Sequence, residues 1–142
     1  TYVARGIAEG ARLVSGGERP AAQNRGWYFE PTVFADVTQN MTIAREEIFG
    51  PVVSLIRYDD EAELIAQANA TDYGLHGAIY SADEDRALAI AREVDAGSLA
   101  INGMAVDIEM PFGGFKQSGI GREGGLEGLQ NYLELKTVYL PG

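Results

Sequence analysis

The chain has 142 residues, 46% of them hydrophobic, and a formal net charge of −10. That composition fits a folded globular domain with a core of its own. The acidic balance argues against nucleic acid or an anionic membrane as partner, since both demand basic patches. Cysteine is absent and His76 is the only histidine, which excludes disulfides, thiolate metal sites, a cysteine nucleophile and a His-rich metal cluster from these residues. No apolar run has the length to cross a bilayer. The opening TYVARGIAEGAR has no apolar leader core, so a cytoplasmic location is expected.

In chain order, Val3, Ile7, Ala11 and Val14 recur at helical spacing, so the pattern predicts one helix over residues 1–14, stopped by Gly16-Gly17. GWYFEPTVFADV is aromatic and β-branched and reads as a strand interrupted by Pro31. TQNMTIAREEIFGP reads as a turn-like connection, and VVSLIRY (52–58) as a buried strand. Asp60, with Glu63 three residues on, is a helix N-cap with a capping-box partner, and that helix should run to about Ala70. YGL is expected to turn and HGAIYS to form a short strand. Asp83 caps a helix that buries Ala87, Ile90, Ala91 and Val94 and ends at Gly97. SLAIN (98–102) is a further buried strand, a short helix falls near 125–130, and YLELKTVYL is a final strand with one exposed face. The fold class is α/β: a partial three-layer sheet in which residues 52–102 supply a βαβαβ run of parallel strands, followed by a C-terminal arm strand. That last strand could complete its own sheet or dock on a partner's edge.

Four stretches invite a chemical reading. EEIFGP (46–51) sets two carboxylates before an aromatic: a carboxylate can accept both hydroxyls of a ribose, and a ring can pack on a flat base. The alternative is a solvated acidic turn. Gly119, Gly121 and Gly124 spell G-x-G-x-x-G, the spacing of a phosphate-cradling turn. Such a turn must follow a strand directly and precede an acidic residue by about 20 positions. Here the strand ends at Asn102 and no acid falls at that distance, so Gly119, Gly121 and Gly124 read as tight-turn glycines, with Gly113 and Gly114 in the same structural loop. Lys116, Arg122 and Glu123 lie in the same loop, and the Arg-Glu neighbours are expected to tie it into an ion-pair network. The loop NGMAVDIEMPFGG follows a parallel strand's carboxyl end, where ligand clefts form. Met104, Val106, Ile108, Met110 and Phe112 either line a cleft or pack internally. Asp107 and Glu109 are two apart in a loop, which fixes no acid-base geometry. His76, with no nucleophile or carboxylate pattern beside it, reads as a hydrogen-bonded structural histidine.

Taken in series, EEIFGPVV, ANATDYGLHGAIYS, AGSLAIN, PFGGFKQSGIGRE and YLELKTV resemble the C-terminal part of the NAD(P)-dependent aldehyde dehydrogenase superfamily. The resemblance implies the later portion of a catalytic domain over 1–121 and an oligomerisation arm over 122–142 that reaches a second copy. By the same resemblance Glu47 would bind the nicotinamide-ribose hydroxyls and Phe49 would sit beside the nicotinamide. Residues 103–112 would shape the aldehyde tunnel, and the backbone near Lys116 and Gly119, with Glu123 in the same network, would help hold a monovalent cation. No other metal is expected. The family's nucleophile is a cysteine, and this chain has none. The family's general base, oxyanion asparagine and nucleotide-binding domain lie upstream of the matched region. The expectation is therefore a fragment of an aldehyde-oxidising enzyme that uses NAD or NADP, with no catalytic residue in this chain, inactive and without bound cofactor on its own. Its partners would be a small aldehyde and further copies of itself. The rival expectation is a stand-alone, non-catalytic oligomerisation or interaction module derived from that family.

Overall fold

The computed structural model describes residues 1–104 and 107–142. They form two compact units, Thr1–Ala70 and Thr71–Gly142.

The first unit opens with α1 (Tyr2–Ala8) and β1 (Arg12–Ser15). The single helix expected through Val14 is thus cut short, and the cause is Gly10. It takes φ 99°, its N–H donates to Ile7 O at 3.1 Å, and the Ala11 N–H donates to Gly6 O at 2.9 Å. That pair of bonds is the Schellman stop, which hydrophobic periodicity does not reveal. A loop over 18–31 follows, held by Arg19, whose Nε donates to Gln23 O and whose Nη2 donates to Gly26 O, both at 2.8 Å. Trp27, in this loop, is fully exposed.

β2 (Thr32–Ala35) begins just after Pro31 and is the centre of a three-stranded sheet. It pairs antiparallel with β1 and parallel with β3 (Val52–Ser54). Between β2 and β3 lies α2 (Thr42–Arg45), a helical turn where a plain connection was expected. Glu9 supports it from outside: its carboxylate accepts from the Thr42 N–H at 2.6 Å and the Thr42 hydroxyl at 2.5 Å. Phe34, Val37, Met41, Ile43 and Ala11 make the core. Gly6 lets α1 settle on it, because a Cβ there would stand 2.9 Å from Ile43 Cδ1. β3 stops at Ser54, short of the buried strand expected through Tyr58, and Val53 and Leu55 are half exposed. α3 (Glu61–Asn69) starts where Asp60 predicts: Asp60 Oδ1 accepts from the Glu63 N–H at 2.9 Å, and Glu63 Oε2 accepts from the Asp59 N–H at 2.7 Å.

The second unit contains β4 (Tyr73–Gly74), β5 (His76–Ile79), α4 (Glu84–Ala91), β6 (Ser98–Ile101), β7 (Phe115–Lys116) and α5 (Gly125–Gln130). β5 and β6 pair in parallel across α4, a βαβ unit, and α4 buries Ala87 and Ile90. The chain is therefore α/β with parallel strands. The parallel run divides between sheets: β3 pairs with β2, and β5 pairs with β6. The first two residues of YGL form β4, antiparallel to β7, rather than a bare turn. α4 ends at Ala91 with Arg92 as C-cap, well before Gly97. Gly97 has a different role: a Cβ there would fall 1.6 Å from Gly113 O, so only glycine admits this approach. Residues 131–142 form no strand within the chain.

Candidate functional site

In the first unit the segment between α2 and β3 separates its two acids. Glu46 is committed: its Oε2 accepts from the Tyr2 hydroxyl at 2.9 Å, and its N–H closes α2 on Thr42 O at 3.0 Å. Glu47 is exposed, and among the described residues its carboxylate takes no hydrogen bond or ion pair. Two residues on, Phe49 holds φ 49° and is 91% exposed. A bulky residue in the left-handed region is uncommon and costs on the order of 1 kcal/mol or more. Gly50 and Pro51 then lock the exit, through Val52 N–H to Gly50 O at 2.8 Å and Thr32 N–H to Pro51 O at 2.8 Å. The geometry thus offers an unpartnered carboxylate beside an outward ring on a fixed turn. Those groups fit a nucleoside: a carboxylate accepts from a vicinal diol, and a ring covers a planar base.

In the second unit the carboxyl ends of β5 and β6 are joined by a residue that sequence reasoning passed over. Asn102 sits at φ 54°, its Oδ1 accepts from the Ser81 N–H at 2.9 Å, and its Nδ2 donates to Ser81 O at 2.9 Å. This pair of hydrogen bonds fixes where the following loop departs. The signal was an Asn ending a strand, since Asn tolerates the left-handed region. Of the residues expected to line a cleft, Met104, Ile108 and Met110 are exposed, Phe112 is half-buried, and Val106 lies outside the described residues. Asp107 Oδ1 accepts from the Glu109 N–H at 2.9 Å, so this carboxylate closes its own turn.

The glycine stretch is a closed loop. Phe112 and Glu123 exchange both backbone bonds at 2.7 Å. Inside it, Arg122 Nη1 donates to Gly114 O at 2.9 Å and to Gly121 O at 2.8 Å, and its guanidinium lies 5.5 Å from the Phe115 ring centroid. The expected Arg-Glu ion pair is replaced by a guanidinium bound to carbonyls, because the loop turns its unpaired C=O groups inward. Gly113 and Gly114 are required by space: a Cβ would stand 2.2 Å from Gly121 O and 2.4 Å from Ser118 Cβ respectively. Gly119, at φ 106°, closes the turn after β7, its N–H donating to Lys116 O at 3.3 Å. Lys116 itself takes φ 54°, and its Nζ donates to Thr71 O at 3.2 Å and lies 3.6 Å from Asp95 Oδ2. A cavity of about 310 Å³ opens beside Gly113, Gly119, Arg122 and Asn131. The G-x-G-x-x-G stands between β7, which ends at Lys116 rather than at the expected Asn102, and α5, which opens at Gly125, but β7 pairs antiparallel with β4, so the stretch does not open a parallel βαβ unit. His76 is hydrogen-bonded as expected, Nδ1 to Ser98 Oγ at 2.8 Å, while its Nε2 is buried and has no hydrogen-bond partner among the described residues. Among the described residues no group of three or more His, Asp or Glu is placed to hold a metal ion, and no helix is long and apolar enough to cross a membrane.

Comparison with known proteins places the chain in one family. The model of the Aldehyde dehydrogenase family matches residues 1–138. A betaine aldehyde dehydrogenase of Sinorhizobium fredii is 54% identical over 99% of the chain. Among solved structures, a Mycobacterium tuberculosis aldehyde dehydrogenase complexed with NAD+ superposes with a TM-score of 0.96 at 50% identity over 99% of the chain. A mutant of aldehyde dehydrogenase C from Pseudomonas syringae, in complex with NAD+ and octanal, gives 0.90 at 46% identity over 94%. The chain spans 29%, 29% and 28% of the length of these three proteins.

Proposed function

The chain belongs to the aldehyde dehydrogenase family, and we propose that it serves an NAD(P)-dependent enzyme oxidising an aldehyde to a carboxylic acid. It contributes one wall of the nicotinamide site, part of the aldehyde tunnel and the segment through which subunits associate. The observation that carries this reading is the contrast within EEIFGP: Glu46 is tied to Tyr2, while Glu47 is unpartnered beside the outward Phe49. Glu47 would accept the ribose hydroxyls and Phe49 would pack on the nicotinamide, which, when bound, takes up hydride from the substrate. Met104, Val106, Ile108, Met110 and Phe112 would shape the tunnel, and Asn102 sets the departure of that loop. The backbone near Lys116 and Gly119 would help hold a monovalent cation, with residues 1–121 as catalytic-domain portion and 122–142 as arm. The chain has no cysteine to attack an aldehyde, so on its own it turns over no substrate.

The test is a pair of substitutions in the full-length enzyme carrying this segment. Glu47→Gln removes a charge-assisted acceptor worth about 1.5–3 kcal/mol, so KM for NAD(P) should rise about ten-fold or more. Glu46→Gln should leave that KM near the parent value and lower stability slightly. Equal effects of the two on cofactor affinity would refute the assignment. A second reading, a non-catalytic association module, is favoured by the exposed apolar side chains of residues 132–140. An open reading frame that encodes a cysteine and a nucleotide-binding region in frame upstream of Thr1 would exclude it.

A further inference from the structure

In the second unit residues 108–112 run beside 123–125, and we propose that Gly124 and Gly125 are positioning residues for the turn that carries Ile108 and Met110. The inference rests on the proposed reading of that turn as part of the aldehyde tunnel, and adds what sets its place. The contacts are backbone on backbone. Gly125 N–H donates to Ile108 O at 3.3 Å. A Cβ at Gly124 would stand 2.6 Å from Met110 O and 2.9 Å from Ile108 O, and one at Gly125 would stand 3.0 Å from Glu109 O. Both glycines also hold positive φ, 68° and 57°. Space and backbone angle therefore select the same residue type twice in succession.

The turn is closed on itself, with Met110 N–H donating to Asp107 O at 3.1 Å and Glu109 N–H to Asp107 Oδ1 at 2.9 Å. Pushing its carbonyls outward displaces it as a unit, and Ile108 and Met110 travel with it. The Phe112–Glu123 bonds hold the other end of the same seam. Gly124 is also the N-cap of α5, and its carbonyl accepts from the Gly128 N–H at 2.9 Å. The seat of the turn and the root of the C-terminal segment are thus one piece of backbone, so aldehyde affinity is mechanically linked to how that root is held.

The experiment uses the full-length enzyme and a straight-chain aliphatic aldehyde. Gly124→Ala should raise KM for the aldehyde about ten-fold while KM for NAD(P) stays within about two-fold, since misplacement by about 1 Å is costly only at the contact it spoils. Gly121→Ala is the control: no heavy atom lies within 4 Å of its Cβ and its φ is not positive. Both of its KM values should match the parent. Should Gly124→Ala fail to fold, Gly125→Ala, with the milder 3.0 Å contact, decides: the same selective rise supports the proposal. An unchanged aldehyde KM in the folded variant overturns it, as does an equal rise for aldehyde and cofactor. A parent enzyme that oxidises no aldehyde overturns this proposal together with the function it rests on, whereas an active parent with an indifferent variant overturns this proposal alone.

Discussion

Phe49 spends backbone energy to put a ring into solvent, a combination that folding alone does not reward. Phe49→Ala should therefore change the chain's unfolding free energy by no more than about 0.5 kcal/mol, the range of exposed substitutions away from special contacts. In the full-length enzyme the same change should raise KM for NAD(P) several-fold. A denaturant melt and a cofactor titration check the two halves, and a large loss of stability would mean that the ring packs within this fold. EEIFGP was legible as a candidate because acid and aromatic stand together in it. The division of labour between Glu46 and Glu47 was not, since it depends on Tyr2, 44 residues away in sequence. In the sequence Asn102 only ends a strand, and its paired hydrogen bonds to Ser81 become visible only once β5 and β6 lie side by side.

At the scale of elements, the helix starts were the legible part, because a cap acts over three residues: Asp60 and Asp83 both accept the expected N–H. Helix ends were harder. Apolar spacing continues from Ile7 to Val14 straight through Gly10, so periodicity overruled the glycine. The stop should be measurable: Gly10→Ala meets no atom within 4 Å yet keeps φ 99°, so it should destabilise by about 1 kcal/mol through backbone strain alone. Urea unfolding of the two chains would show it, and a stable variant would deny the role of the Schellman stop. α2 depends on Glu9, whose carboxyl is held below the usual glutamate value first by the Thr42 hydroxyl and then by the Thr42 amide. A depressed carboxylate stabilises fully above the ordinary glutamate range and loses its contribution as pH falls through the lowered value. Wild type should therefore exceed Glu9→Gln in stability near neutrality, and the gap should close in acid. A gap that persists below that range would rule out the carboxylate as its source.

For the molecule as a whole, the α/β class was legible from alternating strand and helix patterns, whereas the division into two units was not, because no linker composition marks residue 70. The C-terminal stretch shows a limit of another kind. Its alternation is that of a strand, but a strand needs a ladder partner, and among the described residues none pairs with residues 131–142. Tyr132, Leu133, Leu135, Val138, Tyr139 and Leu140 are all exposed there, more apolar surface than a monomer usually shows. The purified chain should self-associate in sedimentation, and a version ending at residue 131 should do so less. Monomers of both at high concentration would count against the arm. The exposed loop at 18–31 offers an optical readout of any such assembly. Trp27 is the chain's only tryptophan and is 101% exposed. Its fluorescence is therefore an intrinsic gauge of one patch: red-shifted and open to iodide quenching in the free chain, blue-shifted and protected once another surface covers that loop.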